Sequence, residues 1–369
     1  MSRPDISDQE VGLVNQVLLT PWLSMGPMIE RFEREMARYI GRQHAVGVSS
    51  GTAGLHLCVR AAGIGEGDEV ITTPFSFVAS ANCVLYERAR PVFVDIEPDS
   101  LNMDPNRVED AITPHTRAVL PVHAFGQPAD MDPILEIARR HNLWVIEDAC
   151  EAIGAEYKER KAGTLGDVAV FAFYPNKQMT TGEGGIIVTD RKDWDALFRS
   201  LRNQGRDVSD AWLHHARLGY NYRLDELSAA LGVAQLQRID ELLTMREQVA
   251  KMYGERLSTA GGVTLPYAVP TTTRMSWFVY VVMLAPDLDR TRVMEDLGER
   301  GVPSRPYFTP IHLQPFYRRM FGYREGDFPI TERVAESVLA LPFFGNLSEA
   351  EVDHVCAHLR DVVGEAYRS

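Results

Sequence analysis

The sequence predicts an α/β fold: a mostly parallel sheet flanked by helices, followed by a smaller α+β domain at the C-terminal end. Three observations predict it. Short β-branched runs alternate with helical stretches from about residue 45 to 190, which is the signature of strand–helix–strand units. A strongly helical tract then runs from Arg223 to about Leu257. After it, Gly261-Gly262 opens a stretch of different texture. The division is placed at 1–244 for a large domain with an N-terminal arm and at 245–369 for the small one.

Taken in order, the predicted strands are 45–48, 69–72, 91–95, 118–122, 143–147, 168–173 and 185–189. Between the first two, Leu55, Cys58, Val59 and Ala62 form one apolar stripe at helical spacing, which predicts a helix over 52–62. Asp132 followed by Pro133 reads as a helix start, with a capping carboxylate and a proline in the first turn. The tract from Arg223 is expected to break near Arg238–Glu241 and to bridge the domains. Beyond it, 277–284 reads as a strand, 290–301 as a helix and 348–363 as a terminal helix.

Composition excludes several classes. Hydrophobic residues are 45% and charged residues 24% of the 369, the balance of an ordinary globular protein and not of a disordered one. No apolar run approaches the roughly 18 residues of a membrane helix. The opening MSRPDISDQE lacks the basic-then-apolar character of a secretory leader, so a cytoplasmic protein without a membrane partner is expected. The net charge of -13 disfavours a nucleic-acid partner. An anionic substrate must therefore be held by local donors. Cys58, Cys83, Cys150 and Cys356 are scattered without a C-x-x-C pair, and read as buried reduced thiols. His214 and His215 are adjacent, do not share a helix face, and make a poor metal pair; no metal is expected.

Ligands of such sheets gather beyond the carboxyl ends of the strands. The polar residues there are Ser49-Ser50-Gly51-Thr52, Pro74–Phe77, Asp148 and Tyr174-Pro175-Asn176-Lys177. The first group joins a strand to a helix N-terminus, which is an anion site or an ordinary cap. No G-x-x-x-x-G-K-[ST] loop is present. Gly182 and Gly184 do not complete a G-x-G-x-x-G fingerprint, because Ile187 holds its last position. A nucleotide-hydrolysing or Rossmann site is not supported. Asp148 at a strand end is either a cap or the counter-ion of a bound cation such as a protonated heterocyclic nitrogen. Lys177 lies just past a strand end and ahead of glycines, where burial would make its amine a nucleophile toward aldehydes. Anion loop, carboxylate and lysine, in that order, are the parts that pyridoxal phosphate requires: a phosphate seat, an acid for the ring nitrogen and an amine for the aldehyde.

These residues resemble the DegT/StrS-type sugar aminotransferases, pyridoxal-phosphate enzymes of fold type I. The matching segments include SSGTAGLHL (49–57), GDEVITTPFSFVASAN (67–82), PVFVDIEPD (91–99), PVHAFGQPADM (121–131), VIEDACEAIGAEY (145–157), GDVAVFAFYPNKQMTTGEGGIIVTD (166–190), LGYNYRLDELSAA (218–230) and RPYFTPIHLQP (305–315). The likeness covers nearly the whole chain from about Trp22.

The resemblance implies that Lys177 takes the cofactor aldehyde and shuttles protons, and that Asp148 pairs with the ring nitrogen. It implies that Gly51, Thr52 and Ala53 bind the phosphate, that Phe77 stacks on the ring, and that Glu151 lies near the ring hydroxyl. Asn221 would reach the phosphate from a neighbouring subunit, which implies a homodimer with shared sites; otherwise it is a turn residue. Tyr307 and His312 would line the sugar site, or pack between domains. The donor implied is an amino acid, L-glutamate by family habit, and the acceptor a keto-sugar, nucleotide-linked, with ping-pong kinetics.

Two departures stand out. Many relatives carry serine where this chain has Ala172, and glutamine or histidine where it has Glu151. Relatives that dehydrate sugars replace the lysine with histidine; its presence here favours transamination. The rival readings are another fold-type-I reaction, such as desulfuration or β-elimination, and a non-catalytic protein that binds the cofactor or a nucleotide-sugar.

Overall fold

The computed structural model describes residues 1–207 and 214–367. Helix α1 (Asp8–Leu18) starts on a capping box in which Ser7 and Glu10 satisfy each other's end groups. Helix α2 (Pro27–Ile40) has no side-chain cap of its own. Its first amides are met instead by the buried Glu226 carboxylate, which accepts from the N–H groups of Gly26, Met28 and Ile29 at 2.7–3.0 Å. An acid at a helix N-terminus also meets the positive end of the dipole.

The strands follow in chain order: β1 (His44–Val48), β2 (Glu69–Thr72), β3 (Arg90–Phe93), β4 (Thr116–Val119), β5 (Trp144–Asp148), the short hairpin β6 (Glu156–Tyr157) and β7 (Arg160–Lys161), β8 (Val168–Ala172) and β9 (Gly185–Thr189). All except the hairpin join one sheet in the order β1-β9-β8-β5-β4-β2-β3. β2, β3, β4, β5 and β8 run parallel, and only β9 opposes its neighbours β1 and β8. The predicted runs all become strands of this sheet. Along β8, Val168 and Val170 pack with Leu55, Val59 and Ile187 on one face. Ala169 and Phe171 pack with Phe32, Met36 and Ile186 on the other. Both faces are covered, so the runs read as continuously apolar instead of alternating.

Helix α3 (Gly51–Ala61) and helix α4 (Ala79–Leu85) follow β1 and β2. Helix α5 (Met131–Arg140) corrects one expectation. Asp130, not Asp132, holds the N-cap position, and it makes no side-chain cap. The Asp132 carboxylate is drawn away by Lys158 Nζ at 2.7 Å and Arg160 Nη2 at 2.5 Å. Its N–H goes to the Tyr157 hydroxyl at 3.1 Å. Pro133 falls two residues later than predicted, still within the first turn, where a missing N–H breaks no intrahelical bond.

Helix α6 (Lys192–Arg202) leads to α7 (Glu226–Gln237) and α8 (Ile239–Leu257). The predicted break falls at Arg238, whose side chain pairs with Asp5, Glu10 and Glu241. The start of α8 packs under the large sheet through Leu242 and Leu243. Its later turns pack through Val249, Tyr253 and Leu257 against a second core.

That second core is built on an antiparallel sheet of β10 (Val263–Thr264), β12 (Tyr280–Leu284) and β13 (Val338–Leu341), while β11 (Thr272–Arg274) joins the β6–β7 hairpin. Helices α9 (Arg290–Glu299), α10 (Pro315–Phe321), α11 (Pro329–Ser337) and α12 (Glu349–Ala366) complete the chain. The strand predicted from 277 begins only at Tyr280, because the carbonyls of Trp277 and Phe278 are taken by a side chain, Arg246, and not by a neighbouring strand. Among the described residues no helix is long and apolar enough to cross a membrane, and no group of His, Cys, Asp and Glu is arranged to hold a metal. His215 is exposed and contacts the carbonyl of Gln204.

Candidate active site

The segments that follow β1, β2, β5 and β8 converge on one cavity of 440 Å³. Ser50, Gly51 and Thr52 line it from the start of α3, Phe77 and Ser80 from beyond β2, Asp148 and Glu151 from β5, and Asn176 and Lys177 from beyond β8. Phe278 and Tyr307 close it from the C-terminal part of the chain.

At the helix end, Gly51 and Thr52 occupy the first turn, where amides have no intrahelical acceptor. Ala53 does not line the cavity; its N–H already donates to Ser50 Oγ at 3.1 Å. Position 51 admits nothing larger than glycine. A Cβ there would lie 2.8 Å from Ala172 Cβ and 2.9 Å from Cys150 Sγ. Gly185 presses on the same turn from the other side, since its Cβ would meet the Ser50 carbonyl at 2.7 Å.

Asp148 is buried. Its Oδ2 accepts from Ser80 Oγ at 2.6 Å and its Oδ1 from the Cys150 N–H at 3.2 Å. Among the described residues no cation pairs with it. A buried carboxylate held by neutral donors alone is costly and invites a positive charge into the cavity. Phe77 lines the same cavity yet is 63% exposed, so one face of its ring is bare.

Lys177 Nζ lies 3.4 Å from Glu151 Oε1 and 3.9 Å from the centre of the Phe278 ring. It is the only cationic side chain on this cavity among the described residues. Glu151 is buried, and its other oxygen accepts from the N–H of Phe125 at 2.9 Å. Burial raises the pKa of Glu151 above the ordinary carboxyl value, although the Lys177 charge opposes the shift. Tyr307 is raised too, by burial first and by the Glu151 charge second. Burial pushes the Cys150 thiol far up as well, so it rests as an inert thiol against Gly51.

Two further candidates lie off the cavity. His312 is wholly buried, with Nε2 at 3.0 Å from Glu332 and its ring against Phe328. Its packing belongs to the aromatic cluster beside α10, and burial lowers its pKa. Asn221 is exposed and does not line the cavity of its own chain. Its neighbours Tyr220 and Tyr222 stack at 5.0 Å, and are tied by their hydroxyls to Glu87 and to His56.

Sequence reasoning missed Ser80, Phe278 and Arg246. Ser80 sits one turn beyond the recognised loop at Pro74–Phe77. Arg246 is buried on α8, and donates to the carbonyls of Lys177 at 2.9 Å and Phe278 at 3.1 Å. Burial lowers its pKa to about 10, which leaves it charged at neutral pH. No local pattern marks Arg246 or Phe278.

A protonated pyridine ring is the cation that Asp148 lacks, and the α3 N-terminus offers the seat that its phosphate needs. The residues present thus fit pyridoxal phosphate. The class is that of the fold-type-I, pyridoxal-phosphate-dependent sugar aminotransferases. A sequence model of the DegT/DnrJ/EryC1/StrS aminotransferase family matches residues 4–360, and the chain belongs to that family. It is 44% identical over 367 residues to the GDP-perosamine synthase of Caulobacter vibrioides, which covers 98% of each chain. The structure of S. venezuelae DesV in complex with a ketimine intermediate superposes with a TM-score of 0.91 at 37% identity, over 96% of this chain and 94% of that one. Spr1654 from Streptococcus pneumoniae, solved in its PLP form, gives a TM-score of 0.94 at 25% identity, over 99% and 98% of the two chains.

Proposed function

We propose that this aminotransferase takes its amino group from L-glutamate and delivers it to a nucleotide-linked keto-sugar, in two half-reactions of ping-pong type. The observation that carries the reading is the pairing of a buried, cation-free Asp148 with the single lysine of the cavity. The family habit supports the donor, and a relative named as a GDP-perosamine synthase supports the nucleotide carrier.

Bound pyridoxal phosphate supplies the electron sink that lets a carbon-bound proton depart. Asp148 holds the proton on the ring nitrogen. Gly51 and Thr52 bind the phosphate through main-chain amides, with Ala172 contributing no hydroxyl. Phe77 covers one ring face, and Glu151 stands near the ring hydroxyl. Lys177 would hold the aldehyde at rest; once freed, its Nζ would carry the α-proton of the donor to the cofactor carbon on the far side of the shared nitrogen. In the second half-reaction it moves the proton in the opposite sense. Tyr307 faces the acceptor. Asn221 completes a neighbouring subunit's phosphate seat, so the working unit is a homodimer. The residues 1–244 bind the cofactor, 245–369 close over it, and the enzyme works in the cytoplasm.

Desulfuration is disfavoured, because Cys150, the one thiol on the cavity among the described residues, is only half-buried and packs against Gly51, with desolvation raising its pKa well above the ordinary thiol value. The test is Lys177→Ala. The variant should lose both the visible cofactor band and turnover. Retention of both would remove the central assignment.

A further inference from the structure

Two donors of unequal strength hold Asp148. The Cys150 N–H reaches Oδ1 at 3.2 Å, while Ser80 Oγ reaches Oδ2 at 2.6 Å. The shorter distance is that of a hydroxyl bonded to a charged oxygen, and the longer is at the far end of an ordinary bond. The last torsion of an aspartate is broad unless its oxygens are pinned. The orientation of this carboxylate therefore falls chiefly to Ser80.

Ser80 is itself held. Ser76 Oγ lies 2.7 Å from Ser80 Oγ, and both serines are buried in the cavity wall. A hydroxyl has one proton to give. Three acceptors compete for that of Ser80: Asp148 at 2.6 Å, Ser76 at 2.7 Å and the Phe77 carbonyl at 3.2 Å. The carboxylate is both the nearest and the charged one, so it takes the proton. Ser76 must then donate to Ser80. The chain of hydroxyls runs one way, from Ser76 through Ser80 to Asp148, and each bond polarises the next.

The base of this chain is fixed on both sides. Ser80 is the second residue of α4, and its carbonyl accepts from Cys83 Sγ at 3.3 Å. Its neighbour Asn82 accepts from the Tyr317 hydroxyl at 3.0 Å. Ahead of Ser76, the Pro74 carbonyl accepts from the Ile311 N–H at 2.8 Å. The wholly buried Phe75 packs edge-on to Phe125 and Phe308. One short stretch thus presents Phe77 to the cavity and aims Asp148.

We propose that Ser80 is the positioning residue of Asp148, steadied in turn by Ser76, and that this relay sets the angle at which the carboxylate meets the ring nitrogen. The inference rests on the role given to Asp148 above and adds two residues that act through it.

The test uses Ser80→Ala, Ser76→Ala, Asp148→Ala and the Ser80→Ala/Asp148→Ala double variant. Two quantities are read: the affinity of cofactor-stripped enzyme for pyridoxal phosphate, and the single-turnover rate with L-glutamate and its α-deuterated form. Denaturant melts of the stripped proteins check folding. Ser80→Ala should weaken cofactor binding about tenfold, the range of a charge-assisted hydrogen bond. It should slow the glutamate half-reaction by about as much and raise its deuterium isotope effect, with half-saturation little changed. Ser76→Ala should show the same pattern more weakly, and Ser80→Thr, which keeps the hydroxyl, should restore most of the loss. On the Asp148→Ala background, Ser80→Ala should cost little further cofactor affinity, because the relay acts only through the carboxylate. Additive losses would mark Ser80 as merely structural and overturn the inference. So would wild-type affinity and rate in Ser80→Ala, and a crippled Asp148→Ala would then leave the reading of Asp148 standing. An Asp148→Ala enzyme that binds cofactor and turns over as wild type does would remove both.

Discussion

Glu151 is the side chain whose surroundings conflict most. It is buried, it pairs with Lys177, and Asp148, Cys150 and Tyr307 are further titratable groups whose charges couple to it. Burial lifts its pKa in the folded state above the 4.5 of an unperturbed glutamate. As pH rises above 4.5, the unfolded chain releases this proton before the folded one does. The folded state is then the one that binds more protons, so stability falls as pH climbs through that window. In cofactor-free protein, urea melts between pH 4.5 and 8 should therefore show wild type losing stability with rising pH relative to Glu151→Gln. A parallel pH dependence in the two proteins would show that Glu151 ionises as if it were in water.

At the scale of elements, α8 deserves its length. Its first turns lie under the large sheet and its later ones under the small sheet. Arg246 stands between them and holds three carbonyls, those of Lys177, Trp277 and Phe278. Arg246→Met would leave these acceptors buried without a donor. It is expected to cost about 2–4 kcal/mol of stability. It should also lower kcat about tenfold through misplacement of the lysine, with the KM for the amino donor changed far less. Arg246→Lys should restore part of the stability and little of the rate, since a point charge cannot span three acceptors. Denaturant melts and steady-state kinetics on folded holoenzyme separate the two effects.

The same elements show what was legible in the sequence. The strand ends at Ser50, Asp148 and Lys177 were readable because an α/β sheet places its ligands after its apolar runs, and those runs are uninterrupted. Arg246 and Phe278 were not, because their partners lie far along the chain and nothing local distinguishes a clamping arginine from a solvated one. Asp132 misled for a related reason. A capping carboxylate and an ion-paired one look alike until Lys158 and Arg160 arrive from the hairpin.

The whole molecule leaves an apolar stripe uncovered. Leu18, Leu19, Trp22, Leu23 and Met25 are all exposed, Leu19 to 88%. The bridge between Ser24 and Asp225 sets this stripe beside the loop that carries Asn221. A second copy of the chain is the occupant that the dimer reading requires, and it would bury the stripe where Asn221 must cross. Co-expression tests this arrangement. Lys177→Ala and Asn221→Ala, each crippled alone, should complement in hybrids, because one of the two sites then carries neither change. With random mixing, about a quarter of wild-type activity should return. No recovery would mean that Asn221 serves its own subunit or none.

The anchoring of Lys177 by Arg246 has one more consequence. The carbonyl of Lys177 and the ring that roofs its amine hang from a single guanidinium on a helix shared by both cores. Fraying of the smaller sheet is therefore felt at once by Lys177. If the smaller sheet melts first on warming, the chemistry would fall silent while the seven-stranded sheet is still whole, and the working lifetime would then be set by the smaller sheet.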